Sequence, residues 1–296
     1  MFTLFRQREQ INHLAFALSG LTLASGSSTG QITIWDLVDR KPMSLLHPPG
    51  GELTFVRDDA TLVIHSIRQE ELLLLDIATG QTRSLFQYDN DTIPYWSAVG
   101  EDGETVVAAF VTQTATDALI DVRQVEVSTD REIRLAQFAI KARVAHLALR
   151  TGNPLLLAVQ ELPLRIVLLS PGRLPDEVDV PRNAKVDSLA FAPDGSTLAL
   201  RNSSHIRLWN VDDKRMNAEI IGPPTFHAVV FSPDGRTLGI GTSDGVVRFY
   251  DVATGQQRAA FDWQIGPIHA LAFAPDGMRA AAGSKKGTIV VWDVDG

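Results

Sequence analysis

Cysteine is absent from the 296 residues. That excludes disulfides and thiolate metal sites, though it names no compartment. No apolar run approaches the roughly 18 residues of a membrane span. The opening residues, MFTLFRQREQ, lack the continuous apolar stretch of roughly 7–15 residues and the small-residue cleavage site of a secretory signal. With those signals missing, a cytoplasmic location is the default expectation and no membrane partner is expected. Positive charge is also short, with 27 Lys and Arg against 35 Asp and Glu and a net charge of −8. Such a surface repels a phosphate backbone on average, so nucleic acid is not an expected partner. The deficit is uneven. Residues 51–130 hold 15 acids and 4 bases, a net of −11, whereas residues 131–220 hold 10 acids and 13 bases, a net of +3. A strongly acidic sector favours a cationic partner.

What the sequence does have is an echo. FSPDGRTLGIGTSDGVVRFYDVATGQ, from Phe231, returns from Phe273 as FAPDGMRAAAGSKKGTIVVWDVDG. Phe16, Phe191, Phe231 and Phe273 each stand four residues before a glycine, and weaker copies begin at Phe55, Val99 and Leu149, which makes seven starts. A second marker gives the same count. The pairs Trp35-Asp36, Leu75-Asp76, Val125-Glu126, Leu169-Ser170, Trp209-Asn210, Tyr250-Asp251 and Trp292-Asp293 each end a third apolar run. The runs are of strand length and are separated by turn residues, with Asp-Gly prominent. Four short strands in each unit of about 42 residues make a small antiparallel sheet. Strands that are apolar almost throughout need cover on both faces. Seven such sheets arranged in a ring cover one another, so the expected fold is all-β, a seven-bladed β-propeller of four-stranded antiparallel blades and a single domain over 1–296.

The phrases LAFAPDG (189–195), VFSPDGRTL (230–238), SDGVVRFYD (243–251), ITIWD (32–36) and IVVWD (289–293) resemble the WD-repeat family, with DVATGQ similar to its bacterial members. Strong members of that family carry a Gly-His pair before the first strand, and this chain has none. Gln7, Arg182, Gly222 and Gln264 stand at the corresponding positions. The family's His–Asp–Ser–Trp network therefore cannot form in its usual version, and apolar packing between blades is expected to take more of the load. The last unit ends after its third strand, so Phe2–Phe5 are expected to pair with Thr288–Trp292 and complete the last blade, closing the ring. The chain is expected to be a monomer or a propeller module of a larger protein.

Catalytic signals are few. There is no Gly-x-Ser-x-Gly elbow, P-loop or dinucleotide fingerprint. GSKKGT (283–288) has the charge to attract phosphate, but it aligns with the turn GTSDGV. His13 and His146 occupy one column of the expected first strands, and His227 and His269 the column beside it. Neighbouring columns point to opposite sides of a strand, and no carboxylate pattern accompanies them, so packed or hydrogen-bonded histidines are expected in place of a metal site. No cofactor is expected.

The resemblance implies a non-catalytic scaffold that binds a peptide or protein surface. The face it implies comprises the loops leading into the first strands and those joining the second and third. Arg8, His47, Lys285 and Lys286 belong to it. The expected partner-binding residues are Tyr88, Asp89, Asp91, Tyr95, Trp96, Asp117, Arg143, Arg182 and Trp263, with Tyr95 and Trp96 as apolar anchors beside acids that suit a cationic segment. A plainer account has Tyr95 and Trp96 filling the gap between blades 2 and 3. The alternative function is a propeller enzyme, lactonase-like or quinone-dependent, with its site in the central channel.

Overall fold

A computed structural model describes residues 2–3, 6–46, 51–56, 59–66, 71–86, 92–100, 103–150, 156–162, 165–173, 176–178, 186–222 and 225–294. Among them there are strands and turns and no helix. The strands form seven four-stranded antiparallel sheets, six of them in simple hairpin order, and the fold class is a seven-bladed β-propeller. The first strands of blades 1 to 7 are Ile11–Phe16, Glu52–Phe55, Thr92–Val99, Arg143–Arg150, Ser188–Phe191, Phe226–Phe231 and Ile268–Phe273. All seven sequence starts therefore fall at or beside the end of a first strand. Blade 7 takes its outer strand from the other end of the sequence, with Phe2 opposite Val291 and Thr3 opposite Val290. Leu4 and Phe5, the rest of the expected pairing segment, lie outside the described residues.

Backbone demands explain the repeat markers. In blades 1, 3, 5, 6 and 7 the glycine of the first turn, Gly20, Gly103, Gly195, Gly235 or Gly277, sits at φ between +66° and +72°, where a Cβ is costly. Its N–H closes the turn on the carbonyl three residues back, as from Gly277 to Ala274 at 2.9 Å. The polar member of the second marker serves the third turn. The Asp36 carboxylate accepts from Val38 and Asp39 N–H, Asp76 accepts from Thr79, Asn210 from Asp213 and Asp251 from Thr254. The next residue then pins this turn to the first one. Leu37, Ile77, Val127, Val211, Val252 and Val294 each donate an N–H to the carbonyl of Leu21, Ala60, Glu104, Ser196, Arg236 or Met278. Blade 4 has Pro171 at that position, which has no N–H to give.

The chain groups into two compact units, Met1–Ser84 with Ile221–Gly296, and Leu85–Ile220. In the first unit, alternate residues of a blade are buried against different neighbours. Leu14, Phe16, Leu23 and Trp35 pack with Ala270, Ala272, Ile289 and Val291 of blade 7. Ala15, Ala24, Ile32 and Ile34 pack with Leu53, Phe55, Leu62 and Ile64 of blade 2. This is the period-2 pattern with both faces covered, which is why the strands do not read as alternating. In the second unit, Val107, Ile120 and Val122 of blade 3 pack with Leu147, Leu149 and Val159 of blade 4. Ala158 and Leu168 of blade 4 pack in turn with Leu189, Leu198 and Trp209 of blade 5.

The missing Gly-His pair has a local substitute in blade 1. Gln7 Nε2 donates to Ser25 Oγ at 3.0 Å and to Thr33 Oγ1 at 2.5 Å, and Trp35 Nε1 donates to the same Ser25 Oγ at 2.8 Å. Blades 5 and 7 cannot copy this. Leu198 pairs with Trp209 and Ala280 with Trp292, so Leu200 and Ala282 stand where Ser25 stands. The indole nitrogens of Trp209 and Trp292 are accordingly buried without a hydrogen-bond partner. Their surroundings are apolar, with Trp209 packed among Leu189, Leu198 and Leu200, and Trp292 among Val247, Phe249 and Val290. Ser25→Ala removes the acceptor from a buried indole N–H and is expected to cost about 2 kcal/mol. It should lower Tm in a thermal melt, while Ser28→Ala on the exposed turn leaves Tm unchanged. Equal melting of the two variants would show that the indole bond contributes nothing.

Candidate interaction face

Within the first unit, segments leading into first strands lie beside the turns joining strands two and three. Gln7 N–H donates to Gly287 O at 2.9 Å, Lys285 N–H to Pro267 O at 2.8 Å, Ser28 N–H to Gln10 O at 2.9 Å and Ser243 N–H to Thr225 O at 2.9 Å. Three of these bonds fasten the entering segment of blade 7, 1 or 6 to the same blade's turn, and the Gln7–Gly287 bond joins the segment entering blade 1 to the turn of blade 7. In the second unit the link is made by a side chain, with Gln113 Oε1 accepting from Val144 N–H at 2.8 Å.

The first strands share a device that the sequence does not announce. Register shifts single out Asn12, Tyr95, Ala145, His227 and His269, each an extra residue on its strand. Each stands four residues before the marker that ends the first apolar run. A β-bulge re-aims the side chain it carries, and this explains the two histidine columns. His227 and His269 are the bulged residues, and His13 and His146 come just after a bulge. The His227 and His269 imidazoles stack at 4.2 Å with 13° between their planes. Gln10 Nε2 lies 3.3 Å from His269 Nδ1 and donates to Asn12 Oδ1 at 2.7 Å. A polar row thus crosses blades 6, 7 and 1. Burial, with His227 and Lys285 nearby, holds the His269 imidazole below its ordinary pKa. Burial also lowers His13, opposed by Glu52. His146 is lowered by burial, with Asp187 opposing and Arg201 adding to the shift. Among the described residues no group of three or more His, Asp or Glu is placed to hold a metal ion.

The expected partner-binding residues divide between the units. In the second, Tyr95 is half-buried on its bulge, and its hydroxyl donates to the carbonyls of Val144 (3.3 Å) and Ala145 (3.4 Å) on blade 4. Burial raises its phenol pKa, and Arg143 partly offsets that shift. Trp96 pairs with Ala109. Both aromatics pack on the core shared by blades 3 and 4, one seam later than the gap expected from sequence. Asp117 is exposed in the turn 114–117, where its N–H bonds Thr114 Oγ1 and its carboxylate accepts from Thr116. Arg143 is exposed at the start of its strand. The Gln113 bond sets the end of that hairpin beside the strand that Arg143 begins, and Arg143 lies near enough to Tyr95 to act on its hydroxyl. Tyr88, Asp89, Asp91 and Arg182, with His47, lie outside the described residues.

Trp263 belongs to the first unit. It stacks on Phe261 at 5.6 Å and tilts against Trp292 at 4.5 Å, partly buried between blades 6 and 7. On the neighbouring turn of blade 6, Arg248 donates to Asp244 (2.6 Å) and to Thr242 Oγ1 (2.7 Å), and the Thr242 hydroxyl also bonds Asp244. The Arg248 bonds are the largest of the causes that pull the Asp244 carboxyl down to about 2. The residues that sequence reasoning passed over are Gln10 and Asn12. Their one available signal was the offset between the two histidine columns.

Comparison with protein families finds the WD domain, G-beta repeat, at residues 2–36, 222–251 and 257–293. These segments cover blades 1, 6 and 7, where the sequence markers are sharpest. A search of curated proteins gave no significant match. Three segments of the chain thus match the WD repeat, and its fold is a seven-bladed β-propeller of four-stranded antiparallel blades.

Proposed function

We propose that the chain is a non-catalytic interaction scaffold that holds a peptide or protein surface against the loops leading into its first strands and the turns between strands two and three. One observation carries this reading. In blades 6, 7 and 1 those segments are fastened by backbone bonds, so they present exposed side chains from an ordered base. The usual role of WD-repeat propellers as protein-interaction scaffolds supports it. Blade 3 supplies one part of the proposed surface, with exposed Asp117 in its turn between strands two and three, and the acidic balance of residues 51–130 suits a cationic segment.

Lysines placed at both ends of the blades allow a direct test. Lys141, Lys285 and Lys286 lie on the proposed loops, and Lys41 and Lys214 lie at the third turns. Amine cross-linking in a lysate of the source cells, read by mass spectrometry, should join partners to the first group. Cross-links concentrated on Lys41 and Lys214 would assign binding elsewhere and overturn the reading.

A further inference from the structure

We propose that the seam between blades 7 and 1 is a docking surface for an acidic protein segment, one rich in Asp and Glu carboxylates. This rests on the scaffold reading and names the chemistry of one partner. Arg6 and Arg8 flank Gln7, whose N–H bonds Gly287 O, and Lys285 and Lys286 immediately precede Gly287. The Gln7 side chain turns inward to Ser25 and Thr33, and its two neighbours are exposed, as an extended segment requires. The approach is backbone on backbone. A Cβ at Gly287 would collide with Gln7 O and come 2.7 Å from Glu9 O, and its φ of +77° also suits glycine. Four cations therefore start from two segments that cannot move apart without breaking the seam.

Their charge is not cancelled locally. Among the described residues no carboxylate forms an ion pair with Arg6, Arg8, Lys285 or Lys286. Asp244, on the neighbouring blade's turn, is already engaged by Arg248. Glu9 is the acid on the same segment, which leaves the seam with more cations than anions in a chain of net charge −8. Unpaired like charges on a rigid base repel one another, and a row of carboxylates relieves that repulsion. The polar row extends the surface. Lys285 acts on His269, and the stem of Lys286 lies over Gly266, where a Cβ would come 3.1 Å from Lys286 Cε. A long polyphosphate would run past the seam onto an acidic molecule, whereas a short acidic segment is satisfied within two blades.

Fluorescence anisotropy with a labelled octaglutamate peptide and the full chain tests this. Saturable binding is expected. Lys285→Glu/Lys286→Glu and, separately, Arg6→Glu/Arg8→Glu should each weaken it by about tenfold or more. Lys41→Glu/Lys214→Glu should leave it unchanged, and thermal melts confirm that each variant is folded. No octaglutamate binding, undiminished binding by both seam variants, or tighter binding of an eight-nucleotide single-stranded DNA would overturn the proposal. So would self-association that is lost in the lysine variant, since it assigns the seam to a second copy. If lysate cross-links persist on the loops while octaglutamate is ignored, the scaffold reading stands and only this partner chemistry fails.

Discussion

Gly283→Val is expected to cost about 3 kcal/mol of stability, the upper end of what overpacking a close-packed core does. Gly283 lies in the second strand of blade 7, paired with Ile289 and Ala270. The first residue of the next blade, Ile11, is fully buried against it. A Cβ built at Gly283 collides with Ile11 Cγ2 and lies 2.8 Å from Ile11 Cβ and 3.4 Å from Ala270 Cβ. Ile11 is β-branched and held in a ladder with Ser27, so it has little freedom to yield. The equivalent Gly26 is less crowded, with Leu53 Cδ1 at 3.3 Å, so Gly26→Val should cost less. Denaturant melts of Gly283→Val, Ile11→Ala and the double variant form a cycle. The double variant should be more stable than the two separate losses predict. Strict additivity would show that this pair is not where the strain falls.

Deleting residues 1–6 is expected to have a comparable effect. The deletion removes the partner of Val290 and Val291, both buried, and leaves Ile289–Trp292 as an open strand edge. The lost ladder bonds, at about 1 kcal/mol each, add to an exposed apolar edge that invites pairing between molecules. The truncated protein should melt several degrees lower and aggregate faster. A synthetic peptide of residues 1–6, added in excess, should raise its Tm in a dose-dependent way by adding back the missing strand. An unchanged melt after truncation would reject this role for Phe2 and Thr3.

Features with a fixed chemical requirement were legible in the sequence. Gly20, Gly195, Gly235 and Gly277 repeat because a turn at positive φ selects glycine. Asp36, Asp76, Asn210 and Asp251 repeat because the third turn needs a side-chain acceptor four residues before its left-handed position. That position itself was not legible. Gly80 and Gly255 occupy it in two blades, but Arg40, Asp130 and Lys214 adopt φ of +52° to +56° in three others. The bulges were hidden for a related reason. Five blades place Asn, Tyr, Ala, His and His there, because a bulge constrains the backbone and leaves the side chain free. The substitute role of Gln7 was half visible: its position could be counted, but its bonds to Ser25 and Thr33 depend on a tertiary approach. Lys285 and Lys286 read correctly as a turn, yet their nearness to Arg6 and Arg8 spans almost the whole sequence and leaves no local trace.

The pairing of Phe2 with Val291 also sets an order of events during synthesis. These residues are separated by 289 positions. At roughly 5–20 residues per second, the leading strand emerges from the ribosome many seconds before its mate exists. Until then it must stay unpaired or find a temporary companion, and blade 7 is sealed only after Val290 and Val291 have been made.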